Sequence, residues 1–326
     1  MNKVNLLFTS VGRRVELIRA FKKSAKRLNI DCKIFGTDID ELAPALNCVD
    51  KSFMVPRVTD PNYIYQLLEI CESEEINAVF PLIDPDITVL SMAEPIFSKL
   101  KLKLFVSNQN AVKICEDKWQ TFQFFKKLEL KTPDSWDSDS HPIKNGNFPL
   151  FIKPRFGSAS ENTFKLNNQK ELDFFVNYVP KPIIQQYLSG PEITSDIVCD
   201  LNGKVLSIVS RQRIAVRGGE VVKGVTVHDT EIDTACRKIA DALPARGPIT
   251  AQCMMHNGEP HWIEINARLG GGVPLGIAAG VDSTEMLIKI ACGDDLSPLP
   301  RFSYRENVYM TRFDDSLFIS KADLYA

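Results

Sequence analysis

The sequence is poor in the features that mark most specialised protein classes. No apolar run is long enough to cross a bilayer. Residues 4–11 are apolar but lead straight into Gly12-Arg13-Arg14, unlike a signal peptide with a small-residue cleavage site, so a cytoplasmic protein is expected. A basic excess is missing: 39 Lys and Arg stand against 41 Asp and Glu, a formal net charge of −2. That leaves no electrostatic footprint for nucleic acid or an anionic membrane. The eight cysteines are scattered, with no Cys-x-x-Cys and no Cys/His cluster. This argues against zinc and a disulfide framework, and for buried, reduced, inert thiols. The four histidines are scattered and read as surface or packing residues, and no Ser or Cys has an evident base partner. Neither Gly-x-Gly-x-x-Gly nor Gly-Lys-Ser/Thr occurs, which excludes two familiar glycine-rich phosphate loops. Internal repeats, low-complexity tracts and charge blocks are also missing.

What remains is an ordinary soluble composition, 44% apolar and 25% charged, in a chain of 326 residues. That length suffices for two or three structural units with a sizeable core. Residues 4–9 form a compact apolar strand, and Val15, Leu17, Ile18, Phe21, Ala25 and Leu28 then recur at helical spacing. Residues 32–36 read as a second strand followed by Thr37-Asp38. Strand, glycine loop, helix, strand and acid open a doubly wound α/β unit reaching to about Ser107. Gly12 with Arg13 and Arg14 at the helix start is either an anion site or a plain turn with solvated arginines. Residues 51–56 and 78–83 read as strands and 64–71 as a helix. Asp84-Pro85-Asp86 closes the strand at 78–83, where open α/β sheets collect ligands, so Asp84 and Asp86 are candidate substrate contacts or helix caps. Helix is expected over 87–100 and strand over 102–106.

One helix is expected over 110–128, with Glu116-Asp117-Lys118 near its middle, then a Pro/Asp/Ser/Gly-rich loop over 132–147. Residues 148–154 form a strand ending in Lys153, followed by the small-residue loop 155–160. Lysine charge plus a nest of backbone N–H groups makes a phosphate cradle; the bland alternative is a hairpin turn. A helix over 170–176 and a strand over 182–188 follow. Strands over 193–199 and 205–210 pair around Asn202-Gly203. Arg211, Arg213 and Arg217 then run into Gly218-Gly219-Glu220, either an anion-binding flap or a solvated edge. A helix over 231–243 precedes a strand, 247–255, that carries Gln252 and turns at Asn257-Gly258 into the strand at 261–265. Helical segments are expected over 275–279 and 283–291, and a final strand pair over 309–320 turning at Asp314-Asp315.

The most informative stretch is residues 261–272. Successive strand side chains alternate in face, so Glu264, Asn266 and Arg268 project from one side. A carboxylate beside an amide oxygen suits Mg²⁺, and an arginine one repeat further can grip an anion. Gly270-Gly271-Gly272 follows, where backbone can approach a ligand closely. Gln252, on the antiparallel neighbour, is expected to face the same ligand.

Glu116-Asp117-Lys118, residues 148–154 with 157–160, residues 185–192, Gln252, and Glu264-Ile265-Asn266-Ala267-Arg268 together resemble the ATP-grasp superfamily. Within it the chain is similar to a single synthetase unit of the carbamoyl phosphate synthetase large subunit and its stand-alone relatives, over nearly its whole length. The resemblance implies an α/β and α+β fold. A Rossmann-like (pre-ATP-grasp) α/β domain would occupy 1–107. An ATP-grasp domain of two α+β subdomains would occupy 108–326: about 108–185 as a helical linker with a small phosphate-loop subdomain, and about 186–326 binding metal and substrate. It implies ATP and Mg²⁺, two ions, with Mn²⁺ as a substitute. Lys118, Lys153, Gly157, Ser158 and Ser160 match positions on the nucleotide phosphates. Gln185, Gln186, Tyr187 and Leu188 match the adenine hinge, with two glutamines where an acidic residue is common. Glu192 matches the acid on the ribose. Gln252, Glu264 and Asn266 match metal ligands; Arg268, with Lys153 and Arg211, makes the implied catalytic set. Arg13, Asp84, Asp86, Arg213 and Gly271 are the candidate substrate contacts.

The activity so implied is an ATP-dependent ligase that converts a carboxylate into an acyl phosphate and joins it to an amine or similar nucleophile. The partners are then ATP and small molecules, without nucleic acid or membrane. A full carbamoyl phosphate synthetase large subunit carries two such units, so a homodimer is one way to supply both. The competing readings are carbamoyl phosphate formation from bicarbonate and ammonia, a non-catalytic nucleotide binder of the same fold, and a Rossmann-type oxidoreductase.

Overall fold

The computed structural model describes residues 3–137, 148–157 and 161–320. Its first part alternates strand and helix: β1 (Lys3–Thr9), α1 (Val15–Arg27), β2 (Asp31–Asp38), β3 (Lys51–Met54), α2 (Tyr63–Ser73), β4 (Ala78–Pro81), α3 (Asp84–Lys99) and β5 (Lys103–Leu104). The strands form a parallel sheet in the order β3-β2-β1-β4-β5. The order reverses between β1 and β4, which opens a crevice at their carboxyl ends. The apolar positions of α1 explain its seat: Leu17, Ile18, Phe21 and Ala25 fall on one stripe and are buried, with Glu16 in the first turn and Lys26 and Arg27 in the last. Phe21 meets Phe8 edge-on, and Phe8, Phe80 and Phe105 stack in series through this core. Asp38 serves the loop itself. Its oxygens accept from the backbone N–H groups of Gly12, Ile39 and Asp40 and close the β1–α1 loop.

The single helix expected over 110–128 is two: α4 (Gln109–Glu116) and α5 (Lys118–Lys127). Asp117 breaks it. It has extended backbone, caps α5 by accepting from Trp119 N–H, and takes Arg155 bidentately at 2.6 and 2.7 Å. The break turns Lys118 towards Gly157, whose carbonyl it meets. Because Asp117 is both cap and ion-pair partner, Asp117→Ala is expected to cost about 2 kcal/mol. A urea midpoint equal to wild type would refute that double role.

A small antiparallel sheet comes next: β6 (Ser135–Asp137), β7 (Leu150–Pro154), β8 (Phe164–Leu166), α6 (Gln169–Tyr178) and β9 (Pro182–Gln186), in the strand order β6-β9-β7-β8. Residues 138–147, most of the predicted loop, lie outside the described residues. The last sheet contains β10 (Glu192–Cys199), β11 (Val205–Arg217), β12 (Glu220–Thr226), β13 (Pro248–His256), β14 (Glu259–Asn266) and β15 (Tyr309–Thr311), with α7 (Thr230–Ala242), α8 (Val273–Ala279) and α9 (Ser283–Cys292) between strands. Its order is β14-β13-β10-β11-β12-β15, antiparallel throughout. The Asn257-Gly258 turn has positive φ at both residues, as a two-residue hairpin of this twist requires. The expected final strand pair is a single short strand. β15 adds to the edge of β12, and among the described residues nothing after Asp314 pairs back.

One face of this sheet is apolar and covered. Ile193, Ile197, Ile249, Ala251, Cys253, Trp262 and Ile265 are buried in one cluster with Ile232, Cys236 and Ile239 of α7 and Phe124 and Phe125 of α5. The other face is polar and looks onto a cavity. α9 returns to the beginning of the chain: Arg27 bridges Asp282 and Glu285, and Ser24 bonds Asp282 and Thr284. No described helix is long and apolar enough to cross a membrane.

Candidate active site

The polar face of the six-stranded sheet, the four-stranded sheet and the crevice of the parallel sheet surround a cavity of about 1010 Å³. Its floor follows from strand register. Thr194 lies opposite Arg211 on one side and Gln252 on the other, and Gln252 lies opposite Glu264. Arg211, Thr194, Gln252 and Glu264 therefore form one row across four strands. Thr250 and Asn266, also paired, follow in the next row. Arg213 and Glu192 are paired one row to the other side, where they make an ion pair. A bulge sits in this frame. The β13–β14 register steps from Gln252–Glu264 to Cys253–Trp262, leaving Ile263 as an extra residue. The bulge lets Trp262 enter the core while both Ile263 and Glu264 line the cavity.

The opposite wall comes from the four-stranded sheet: Phe151 and Lys153 of β7, Gln185 and Gln186 of β9, then Tyr187 and Leu188. Phe151, Met254, Ile263 and Leu188 supply apolar surface, which suits a flat ring. The Gln185 side chain is committed elsewhere, donating to Ser135 Oγ at 2.7 Å. Lys153 is 7% exposed. Burial pushes its ammonium down to about 8, against the raising influence of Glu264. Lys118 borders the same space and donates to the Gly157 carbonyl at 2.6 Å.

The far end is built by Arg13, Arg14, Asp84, Arg268, Gly218-Gly219-Glu220 and Gly270-Gly271-Gly272. Arg268 is held by Asp84 through two hydrogen bonds, Nε to Oδ1 at 2.8 Å and NH2 to Oδ2 at 3.0 Å. Burial would lower the Arg268 pKa, but the charge and hydrogen bonds of Asp84 outweigh it and hold the pKa above its usual value. Beneath the glycines lies a buried pair, Arg211 and Asp196, at 2.8 Å. Burial lowers the Arg211 pKa and raises that of Asp196.

The glycine triplet lines the cavity and is also packed closely from within the protein. The groups that come against its backbone are the protein's own arginines. A Cβ on Gly271 would lie 2.8 Å from Arg14 NH1, and one on Gly272 only 1.9 Å from Arg211 Nε. A Cβ on Gly270 would come within 2.6 Å of Asp196 Oδ1.

The structure brings Arg13, Asp84, Lys118, Lys153, Gly157, Gln185, Gln186, Tyr187, Leu188, Glu192, Arg211, Arg213, Gln252, Glu264, Asn266, Arg268 and Gly271 to this one cavity. Ser158 and Ser160 lie outside the described residues. Asp86 does not reach the cavity. It is 1% exposed, accepts from Thr9 Oγ1 at 2.5 Å, and its pKa is raised by burial. Nor is Asp84 a cap: it is the first residue of α3, and the capping position falls to Ile83. Arg14, read with Arg13 as a possible anion site, lines the cavity too, as do Thr194 and Glu220, which were not among the candidates. Thr194 had a legible signal, two residues after Glu192 on the same strand face. Glu220, which bridges Arg14 at 3.5 Å and Arg312 at 3.8 Å, had none.

The donor set favours magnesium over a softer metal. Among the described residues no cluster of three or more His, Cys, Asp or Glu could hold an ion. Glu264, Gln252 and Asn266 offer one carboxylate and two amides, a sparse oxygen set that suits a cation taking most of its ligands from phosphate and water. The Gln252 amide has two orientations. With its nitrogen turned to Glu264 Oε2 at 3.2 Å it donates, and its oxygen accepts from Thr194 and Arg213, each at 3.2 Å. With its oxygen turned to Glu264, two oxygens face each other, an arrangement that a cation bound by Glu264, Asn266 and Gln252 would favour.

Comparison with known proteins agrees with this geometry. Residues 6–105 match the PylC-like N-terminal domain, and residues 115–272 match the ATP-grasp domain. The chain is 28% identical over 213 residues to a D-alanine--D-alanine ligase of Fusobacterium nucleatum, covering 61% of this chain and 66% of the ligase. It is 20% identical over 307 residues to the carbamoyl phosphate synthase large chain of Clostridium botulinum, covering 88% of this chain but only 28% of that protein. It thus spans about two thirds of the first relative and under a third of the second. Among solved structures, biotin carboxylase of Campylobacter jejuni, determined as a β-γ-ATP complex, superimposes with a TM-score of 0.74 at 18% identity, over 94% of this chain and 74% of that one. Two antiparallel sheets facing each other across a cavity, with a parallel sheet at its end and both family models matched in order, identify a PylC-like N-terminal domain followed by a domain of the ATP-grasp superfamily.

Proposed function

We propose that the protein is an ATP-dependent ligase that activates a carboxylate as an acyl phosphate and joins it to an amine or similar nucleophile. The observation that carries this reading is the row Gln252–Glu264 with Asn266, facing buried Lys153 on the opposite sheet and ending at Arg268. Phosphoryl transfer demands placement and charge neutralisation rather than a protein nucleophile, and this arrangement offers both. In the proposed division, residues 1–107 form the pre-ATP-grasp domain and residues 108–326 the ATP-grasp domain. The parallel-sheet crevice at Arg13 and Asp84 then borders the acceptor end.

The adenine lies between Phe151 and Met254, beside Tyr187 and Leu188. Glu192 takes the ribose hydroxyls, and Lys118 and Lys153 hold the phosphates. Mg²⁺, when bound by Glu264, Asn266 and Gln252, neutralises the triphosphate. The substrate carboxylate attacks the γ-phosphorus and the bond to the ADP oxygen breaks, giving ADP and an acyl phosphate. Arg268 and Arg211 balance the charge on the transferred group. The amine then attacks the acyl carbon, phosphate leaves, and the amine gives up its proton. The decisive experiment is phosphate release from ATP and Mg²⁺ across a matrix of carboxylates and amines. Bicarbonate with ammonia is one cell of that matrix and tests carbamoyl phosphate formation. ATP binding with no phosphate release from any pair would favour a non-catalytic nucleotide binder.

Lys153 makes the binding step sensitive to pH. Free, its ammonium titrates at about 8; the phosphates of a bound nucleotide raise that value. ATP affinity should therefore be full below pH 8 and fall by up to about tenfold per pH unit above it, with proton uptake on binding. Calorimetry in two buffers of different ionisation enthalpy at pH 8.5 reads that proton directly. Lys153→Arg should flatten the dependence. An unchanged slope in that variant assigns the proton to another group.

A further inference from the structure

Asp84 and Arg268 are 184 positions apart in sequence, and they meet across the cleft between the parallel sheet and the six-stranded sheet. Asp84 opens α3, a helix of 16 residues, so the helix dipole favours its charge. Both of its carboxylate oxygens go to one edge of the guanidinium, the Nε/NH2 edge. Among the described residues Arg268 NH1 has no hydrogen-bond partner. A planar fork held along one edge has its plane and direction fixed, and NH1 with the second NH2 proton is left to grip an anion.

We propose that Asp84 is a positioning residue for phosphoryl transfer, holding Arg268 from the crevice side so that its remaining N–H groups meet the transferred phosphoryl group. This role rests on the ligase reading above. It gives Asp84 a role beyond the expected direct substrate contact, since each of its oxygens already accepts one hydrogen bond from Arg268. It also makes the grip on phosphate depend on the parallel sheet, which contributes nothing else to the metal row.

The test needs no knowledge of the acceptor, because MgADP with aluminium fluoride mimics a phosphoryl group in transfer. Wild type should bind MgADP more tightly once aluminium fluoride is added. Asp84→Asn should keep the MgADP dissociation constant within about twofold, yet lose about tenfold or more of the aluminium fluoride gain. Arg268→Ala should lose the same gain, and the double variant should lose no more than either single one. Asp84→Glu should restore part of it. In the free protein the Arg268 Nε–H resonance should shift in Asp84→Asn, a readout that general destabilisation does not produce.

An aluminium fluoride gain intact in Asp84→Asn but lost in Arg268→Ala overturns the positioning role. So does a wild type that binds MgADP but gains nothing from aluminium fluoride. Failure of wild type to bind MgADP at all overturns the ligase reading, and this role with it.

Discussion

Glu264→Gln is expected to lower ATP turnover by about 10³-fold or more, with the carboxylate and amine pair that gives phosphate release in wild type. Glu264 is the only carboxylate in the row that faces Lys153, with Gln252 directly across and Asn266 one strand repeat along. Replacing it by an isosteric amide removes the one formal negative charge those side chains offer a cation and leaves a neutral set of three amides. The half-saturating Mg²⁺ concentration should rise together with the loss of rate. The fold should survive, because Glu264 lines the cavity and the core face of β14 is made by Trp262 and Ile265. Turnover equal to wild type would refute the assignment of this row to metal. A loss of rate matched by a loss of folded protein would remove the variant as a probe and leave Asn266→Asp, which adds charge, to decide the sign.

The second large effect is structural. Gly190 lies in the loop between β9 and β10, where the chain passes from one sheet of the cavity to the other. A Cβ there would sit 1.5 Å from the carbonyl oxygen of Met255 and 2.7 Å from its carbonyl carbon. The obstacle is backbone, so no rotamer change relieves it. The neighbouring Met255 N–H to Pro191 carbonyl bond, 2.9 Å long, holds the same two segments together. Gly190→Ala must push β13 away from the loop, at a cost of about 3 kcal/mol or more. Because Met254 lines the cavity beside Met255, nucleotide affinity should fall as well. A urea midpoint and a nucleotide affinity both equal to wild type would sink this expectation.

These expectations draw on parts of the molecule that were unequally legible in the sequence. The shared face of Glu264 and Asn266 was readable because strand alternation is local, but the bulge that brings Glu264 opposite Gln252 was not, since an unbroken hairpin at Asn257-Gly258 would pair Gln252 with Ile263. The break at Asp117 was hidden. Apolar residues on both sides, Val112 and then Phe124 and Phe125, keep near-helical spacing, and the partner that stabilises the break is Arg155, 38 residues away. Asp84 and Asp86 look alike in sequence, yet one faces the cleft and the other is drawn inside by Thr9. Only the packing of β1 against β4 decides between them. The glycine triplet announced a close approach but not its partner, since Arg14 and Arg211 arrive from distant elements. Of the pair expected over 309–320 only β15 forms, and its outer edge, the end of the six-stranded sheet, takes no partner among the described residues.

The extra residue at Ile263 sets a reading frame for the whole sheet. Upstream of it β14 counts in phase with Trp262; downstream it counts in phase with Glu264, Asn266 and the chain towards Arg268. Pairing β14 without the bulge would run one unbroken alternation through Ile263 and force a choice, either tryptophan out of the core or the acid and amide out of the cavity. The strand therefore cannot slide by one against β13 and keep both, so a frameshift in pairing is self-rejecting.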